Sequence, residues 1–277
     1  MQCKDHNENF AQTTQSNPKI CEKCGEPIEM WIFMPLINRN MRVPSACACK
    51  REQIKLEEQR ELNRQKLKRI AYLKSISLIS KRYENVLFEN TKTGDNPSFD
   101  KAFERCKRYC EVCEKVLENG NGIYLFGDTG TGKTHLTACI ANELMKHGKS
   151  VLLTNLFEIS KSIKSTFRSG SCDTEQQFFK RFESVSFVIF DDLGTEIFSK
   201  NEADTWLQAL LFDLINKRYN AKKPTIFSSN YSLNELINKR GVSKRTVDRI
   251  SEMTNGAVLK FEGQSLRSSC VNFSLPF

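Results

Sequence analysis

From Gly122 onward, short unbroken apolar runs alternate with longer stretches of helical periodicity: GIYLF, THLTACIANELMKHG, VLLT, a helical stretch, VSFVIF, another helix, then TIFSS. Continuous apolar strands interleaved with helices predict an α/β fold with a parallel sheet between helices, because such strands are buried on both faces. Ahead of them, Asp100 to Glu118 reads as a helix with Cys106, Cys110 and Cys113 at i, i+4 and i+7 on one face. That stripe suits a face packed on a core, where a free thiol behaves as a small apolar group. The alternative is a metal or iron–sulfur ligand set.

Toward the N-terminus the pattern changes. Lys50 to Ser75 contains neither Gly nor Pro, is rich in strong helix formers, and places Ile54, Leu62, Leu67 and Ile70 at imperfect helical spacing. This predicts a long, exposed, basic helix. Residues 20–50 carry Gly25, Pro27, Pro35 and Pro44 among four cysteines, a pattern of turns and short strands. Residues 1–19 are polar without periodicity and read as a disordered lead-in. The organisation expected is therefore a lead-in over 1–19, a small module with its basic helix over 20–75, a linker over 76–99 with a GDNP turn, and the α/β domain over 100–277.

Composition narrows the class. The chain is 39% apolar, enough for an ordinary core, yet its apolar runs fall far short of the roughly 18–20 residues that a membrane-spanning helix needs. MQCKDHNENFAQTTQ lacks the apolar region of a signal peptide, so a cytoplasmic location and no membrane partner are expected. In a reducing compartment eleven cysteines point to metal ligation or buried thiols rather than disulfides. The formal charge of +9 suits a polyanionic partner such as nucleic acid.

GDTGTGKT at 127–134 carries the chemistry. Gly127 and Gly132 let the backbone wrap closely around phosphate oxygens, and Gly130 eases the turn between them. Lys133 reaches the β- and γ-phosphates, Thr134 supplies a hydroxyl to Mg²⁺, and the helix starting there adds its N-terminal dipole. The nucleotide-binding stretch comprises Gly127, Asp128, Thr129, Gly130, Thr131, Gly132, Lys133, Thr134 and His135. Such a site needs a carboxylate at the end of a buried strand, and VSFVIFDD provides it: Asp191 to support Mg²⁺ and Asp192 to polarise the attacking water. TIFSSN ends in Asn230, placed to contact the γ-phosphate or water in the role called sensor 1. The expected cofactors are thus ATP and Mg²⁺.

CEKC at 21–24 and CAC at 47–49 set four thiols in two close pairs. Cys21, Cys24, Cys47 and Cys49 complete a tetrahedral Zn²⁺ site with no open position for catalysis, and a structural metal can fold a module of this size. Trp31, Phe33 and Met34, between the pairs, suit either an apolar docking surface or packing around the metal.

GDTGTGKTHL, FVIFDDLGTE and PTIFSSNYSLNEL, in that order, resemble the AAA+ P-loop ATPases of the DnaC and DnaI type, loaders of the replicative helicase. The resemblance covers about residues 76–270, and the cysteine module is similar to that of DnaI-type and phage loaders. It implies an arginine finger in KRTVDRIS, presented to a neighbouring subunit's nucleotide, with Arg249 the first choice and Arg245 the second. It implies a sensor 2 arginine, Arg267, in GQSLRSS, and a helical insertion in which Phe167 and Arg168 touch single-stranded DNA, although Phe167 equally suits the insertion's own core. It further implies self-association with shared ATP sites, a DnaB-type helicase partner engaged by the cysteine module and basic helix, and ATP-dependent helicase loading. Transposition helper ATPases of the IstB type share the same core and supply one alternative. A non-hydrolysing, nucleotide-switched adaptor is another, and a small-molecule P-loop kinase a third.

Overall fold

A computed structural model describes residues 17–94, 96–169, 179–180, 182–196, 202–263 and 265, with side chains at all of these except 165–169 and 202–203. The chain divides into two compact units, 1–66 and 67–277.

In the first unit, strands β1 (Glu29–Met34) and β2 (Arg39–Pro44) form an antiparallel ribbon, followed by helix α1 (Ala48–Ile76), which continues into the second unit. The ribbon's tip, Pro35–Ile37, is a single 3₁₀ turn closed by Asn38 in the left-handed conformation. The Glu26 carboxylate accepts from the Ala48 N–H at 2.6 Å and from Arg51 at 3.0 Å, which satisfies one of the helix's orphan amides from a distant turn. Two strands and a turn bury little, and Trp31 and Phe33 stay more than half exposed at 53% and 56%. These side chains therefore face solvent instead of packing around the cysteines.

The second unit is built on five strands: β3 (Ile123–Gly127), β4 (Val151–Thr154), β5 (Phe187–Leu193), β6 (Thr225–Ser229) and β7 (Val258–Phe261). All pairs are parallel, in the order β4-β5-β6-β3-β7. Alternation along the strands splits the core in two: Leu125, Ile189 and Ile226 point to one side, Tyr124, Val188, Phe190 and Phe227 to the other. The first side is covered by α2 (Pro97–Glu111), α3 (Cys113–Asn119) and α4 (Lys133–Lys146). The second is covered by α5 (Leu156–Ser169), α6 (Glu202–Asn220), α7 (Leu233–Asn238) and α8 (Lys244–Thr254). The expected α/β sheet between helices is what the chain forms, in the AAA+ arrangement.

Phe88, from the stretch between 76 and 99, and Leu73, from the end of α1, join the first core. At the β4 edge, the Leu153 N–H bonds the Ser77 carbonyl, so a short segment covers the strand's open side. The helix expected over 100–118 is two helices broken at Val112, which leaves the helical region with φ −100° and ψ 23°. Cys106, Cys110 and Cys113 are buried in the core, and Cys110 lies against the Ile140 carbonyl. Burial pushes all three thiols up, away from the thiolate a metal requires. Among the described residues, no helix is long and apolar enough to cross a membrane.

Candidate nucleotide and metal sites

The sheet order assembles the nucleotide site. β6 lies between β5 and β3, so the loop after β3, the acids of β5 and the turn after β6 all emerge at the carboxyl ends of neighbouring parallel strands. The loop from Asp128 to Gly132 is made by backbone that only glycine adopts freely: Gly127, Gly130 and Gly132 have φ of 146°, 87° and 96°. A Cβ on Gly127 would sit 2.1 Å from the Phe261 carbonyl oxygen of β7. Thr131 Oγ1 donates to the Asp128 carbonyl at 2.7 Å and holds the loop's curvature. Lys133 opens α4, is 3% exposed, and turns its ammonium back to donate to the Gly127 and Asp128 carbonyls at 2.7 Å each. That posture keeps a cation inside the loop, where a phosphate would replace the carbonyls as its partner.

Thr134 Oγ1 and Thr137 Oγ1 each donate to Asp191 Oδ1 at 3.4 Å, and Ser228 Oγ also donates to that oxygen. Burial pushes the Asp191 carboxyl up, and the neighbouring charge of Asp192 adds to this, while the hydroxyls of Ser228, Thr134 and Thr137 oppose it. A hydroxyl and a carboxylate at this separation form a hard oxygen donor set, which fits Mg²⁺. Asp192 stands in the left-handed region at φ 55°, its N–H bonded to Ser228 Oγ at 2.9 Å. Asn230, half-buried, immediately follows β6.

His135 turns to Thr91 instead, with Nε2 2.8 Å from Thr91 Oγ1. Because Thr91 donates its own proton to the Leu87 carbonyl, the ring is the donor, and burial holds its pKa down in the neutral form. Arg249 stacks 4.1 Å over the Tyr219 ring and reaches Glu252 at 3.8 Å; Arg245 lies 5.9 Å from the Phe212 ring. Both arginines of α8 thus lean on aromatic rings of α6. Phe167 and Arg168 fall on α5, with side chains outside the described residues, and Arg267 lies outside them altogether.

Sequence reading missed four contributors. Ser228 and Thr137 carry no motif and reveal their role only through contact with Asp191. Arg218 is fully buried and donates to the carbonyls of Val185 at 2.7 Å, Pro224 at 2.8 Å and Ser186 at 2.9 Å. It ties α6 to the segments entering β5 and β6. Arg240 stacks 4.9 Å over Tyr231 and donates to the Thr195 carbonyl, bracing the turn after the acids.

In the first unit, the sulfurs of Cys21, Cys24, Cys47 and Cys49 lie within 4.8 Å of one another. Cys49 Sγ is 3.3 Å from Cys47 and 3.5 Å from both Cys21 and Cys24. A regular tetrahedron of Zn–S bonds of about 2.3 Å has edges of roughly 3.8 Å, so the four thiols fit zinc with a slight expansion. The Lys23 and Cys24 amides are aimed at the Cys21 sulfur and hold it low, at about 6, whereas the crowding sulfurs of Cys47, Cys24 and Cys21 push Cys49 up to about 12. A cation at the centre relieves that crowding. Among the described residues this is the cluster of three or more metal-ligating side chains.

Known proteins resemble this chain over most of its length. The replicative helicase loader DnaC of Buchnera aphidicola subsp. Schizaphis graminum is 29% identical over 220 residues, 79% of this chain and 85% of the relative. The DnaC loader of Escherichia coli K12 is 27% identical over 247 residues, 89% of this chain and 88% of the relative. Among solved structures, the DnaC helicase loader superposes with a TM-score of 0.56 at 25% identity, covering 66% of this chain and all of that one at 100%. DnaI superposes at 0.53 with 22% identity over 68% of this chain and 94% of its own, a likeness of fold. The model of the family described as IstB-like ATP binding protein matches residues 101–270, which hold the glycine loop, both acids of β5 and Asn230. With its loop, lysine and acids on a parallel sheet in the AAA+ order, this chain belongs to the IstB-like ATP-binding proteins.

Proposed function

We propose that this chain loads a replicative DNA helicase onto single-stranded DNA, driven by ATP binding and hydrolysis at the carboxyl ends of β3, β6 and β5. The observation that carries this reading is the reach of the likeness. The family model spans 101–270, but the alignment with the Escherichia coli loader runs over 247 residues and so extends into the N-terminal part of the chain.

In this reading Lys133 exchanges its two carbonyl partners for the β- and γ-phosphates. Thr134 and Asp191 hold Mg²⁺, which supplies charge neutralisation at the transferring phosphoryl group. Asp192 orients the attacking water and Asn230 meets the γ-phosphate. Arg249 leaves Tyr219 to reach the nucleotide of a neighbouring copy, so hydrolysis requires self-association. Phe167 and Arg168 of α5 contact single-stranded DNA. The module of 20–75 holds Zn²⁺ and docks on the helicase through its ribbon, whose tip residue Leu36 is 97% exposed and whose first strand exposes Trp31 and Phe33.

Copurification with a hexameric replicative helicase, with and without ATP, tests the reading. Retention of the helicase that is lost on Trp31→Ala with Leu36→Ser supports it. A transposition-helper role draws on the family's own description and predicts retention of duplex DNA and a transposase instead. Helicase loading that persists in Lys133→Ala would remove the ATP-driven part.

A further inference from the structure

The pairing of β5 with β6 breaks at one place. Phe190 pairs with Phe227 and Leu193 with Ser229, so two residues of β5, Asp191 and Asp192, stand opposite a single residue of β6, Ser228. This is a bulge, uncommon between parallel strands. In a regular strand two successive side chains point to opposite faces, and only one acid would reach the nucleotide. The extra residue re-aims the strand, and Asp192 takes a left-handed φ of 55°, uncommon outside glycine but more accessible to Asp than to most residues.

One hydroxyl grips both halves of the bulge. Ser228 Oγ donates its proton to Asp191 Oδ1 and accepts from the Asp192 N–H at 2.9 Å. Ser228 is fully buried, away from bulk water. The next residue repeats the grip further out: Ser229 Oγ donates to the Leu193 carbonyl at 2.6 Å and accepts from the Tyr231 N–H at 3.0 Å, closing the turn that carries Asn230. The strand leading to Asn230 and the strand bearing the acids are thereby joined through side chains as well as backbone.

We propose that Ser228 is a positioning residue: its hydroxyl pins the β5 bulge so that Asp191 and Asp192 both face the bound Mg²⁺-nucleotide. The proposal rests on the ATPase reading above. A partner one bond removed from a metal-holding carboxylate typically alters metal affinity by about 10- to 100-fold when deleted. Nucleotide held by the glycine loop alone does not depend on it.

The test measures fluorescent ATP binding with and without Mg²⁺, alongside kcat and KM for hydrolysis, in Ser228→Ala and Ser228→Thr. In Ser228→Ala the Mg²⁺ concentration for half-maximal effect rises by about tenfold or more and kcat falls by a similar factor, while affinity for metal-free nucleotide stays within about twofold. Ser228→Thr, which keeps the hydroxyl, restores the Mg²⁺ response. A folded Ser228→Ala with the native Mg²⁺ response overturns the proposal, as does a parallel loss of metal-free and Mg²⁺-dependent binding, which marks a general packing defect. If the native chain binds Mg²⁺-nucleotide but never hydrolyses it, the ATPase reading fails, and the Mg²⁺ response of the variants still decides the role of Ser228.

Discussion

Arg218 is a charge with no exposure, and its guanidinium donates to main-chain carbonyls of the segments entering β5 and β6. Burial pulls its pKa down to about 9, still ionised at neutral pH. Several carbonyls share the positive charge, and each would lose a charged donor without it. Replacing Arg218 with Met should therefore destabilise the second unit by about 3 kcal/mol or more, read as a lower denaturation midpoint at unchanged slope. A change below about 0.5 kcal/mol, the scatter of ordinary surface substitutions, would show that the carbonyls find other partners. Nothing in KRYNAKKPT marks this arginine in the sequence, because surface and buried arginines read alike until the fold closes. The same holds for Ser228 and Thr137, ordinary residues in apolar or helical runs that matter only because they meet Asp191. Lys133 and Thr134 were legible because phosphate binding demands a fixed local spacing, and Asp191 because it ends an apolar strand run.

Elements were legible where periodicity was strong and blurred where it was weak. The four apolar runs became β3 to β6, but β7 was missed. VLKF alternates exposed and buried positions at the sheet's margin, and its lysine interrupts the apolar run. β7 nevertheless constrains the glycine loop, since its Phe261 carbonyl occupies the space a Gly127 side chain would need. Gly127→Ala should cost about 2 kcal/mol or more of stability and weaken ATP binding together, measured by thermal unfolding with and without nucleotide. Native-like unfolding in this variant would mean that β7 can shift away. The ribbon of β1 and β2 depends on a different device, since its two strands enclose no core. Elemental analysis should find about one zinc per chain. Chelation, or Cys21→Ser, should unfold the ribbon while leaving ATP affinity unchanged; zinc-free protein with an intact ribbon by NMR would count against a structural metal. The thiols at 106, 110 and 113 illustrate the opposite outcome, helical spacing that proved to be core packing.

For the whole molecule, the proposed mechanism needs more than one copy. Arg249 rests on Tyr219 within its own chain, so its use in catalysis requires a neighbour's nucleotide to draw it away. Arg249→Ala should lower ATP hydrolysis by about 10³-fold while ATP still binds. Mixing it with Lys133→Ala should recover part of the rate, because one variant keeps the intact loop and the other the intact arginine. Absence of recovery in mixtures shown to co-assemble would place Arg249 outside a shared site.

The chain's own order of residues determined the glycine loop, the acid pair, the four-thiol set and the alternation of strands with helices. Each is a local requirement, of phosphate geometry, metal geometry or burial on two faces, and is written within a few residues. Only the tertiary structure decided that β6 stands between β5 and β3, that a bulge sets two successive acids opposite one serine, and that Arg218 is enclosed. Those outcomes depend on which distant segments become neighbours, and pairing across the sheet leaves no periodic trace along the chain.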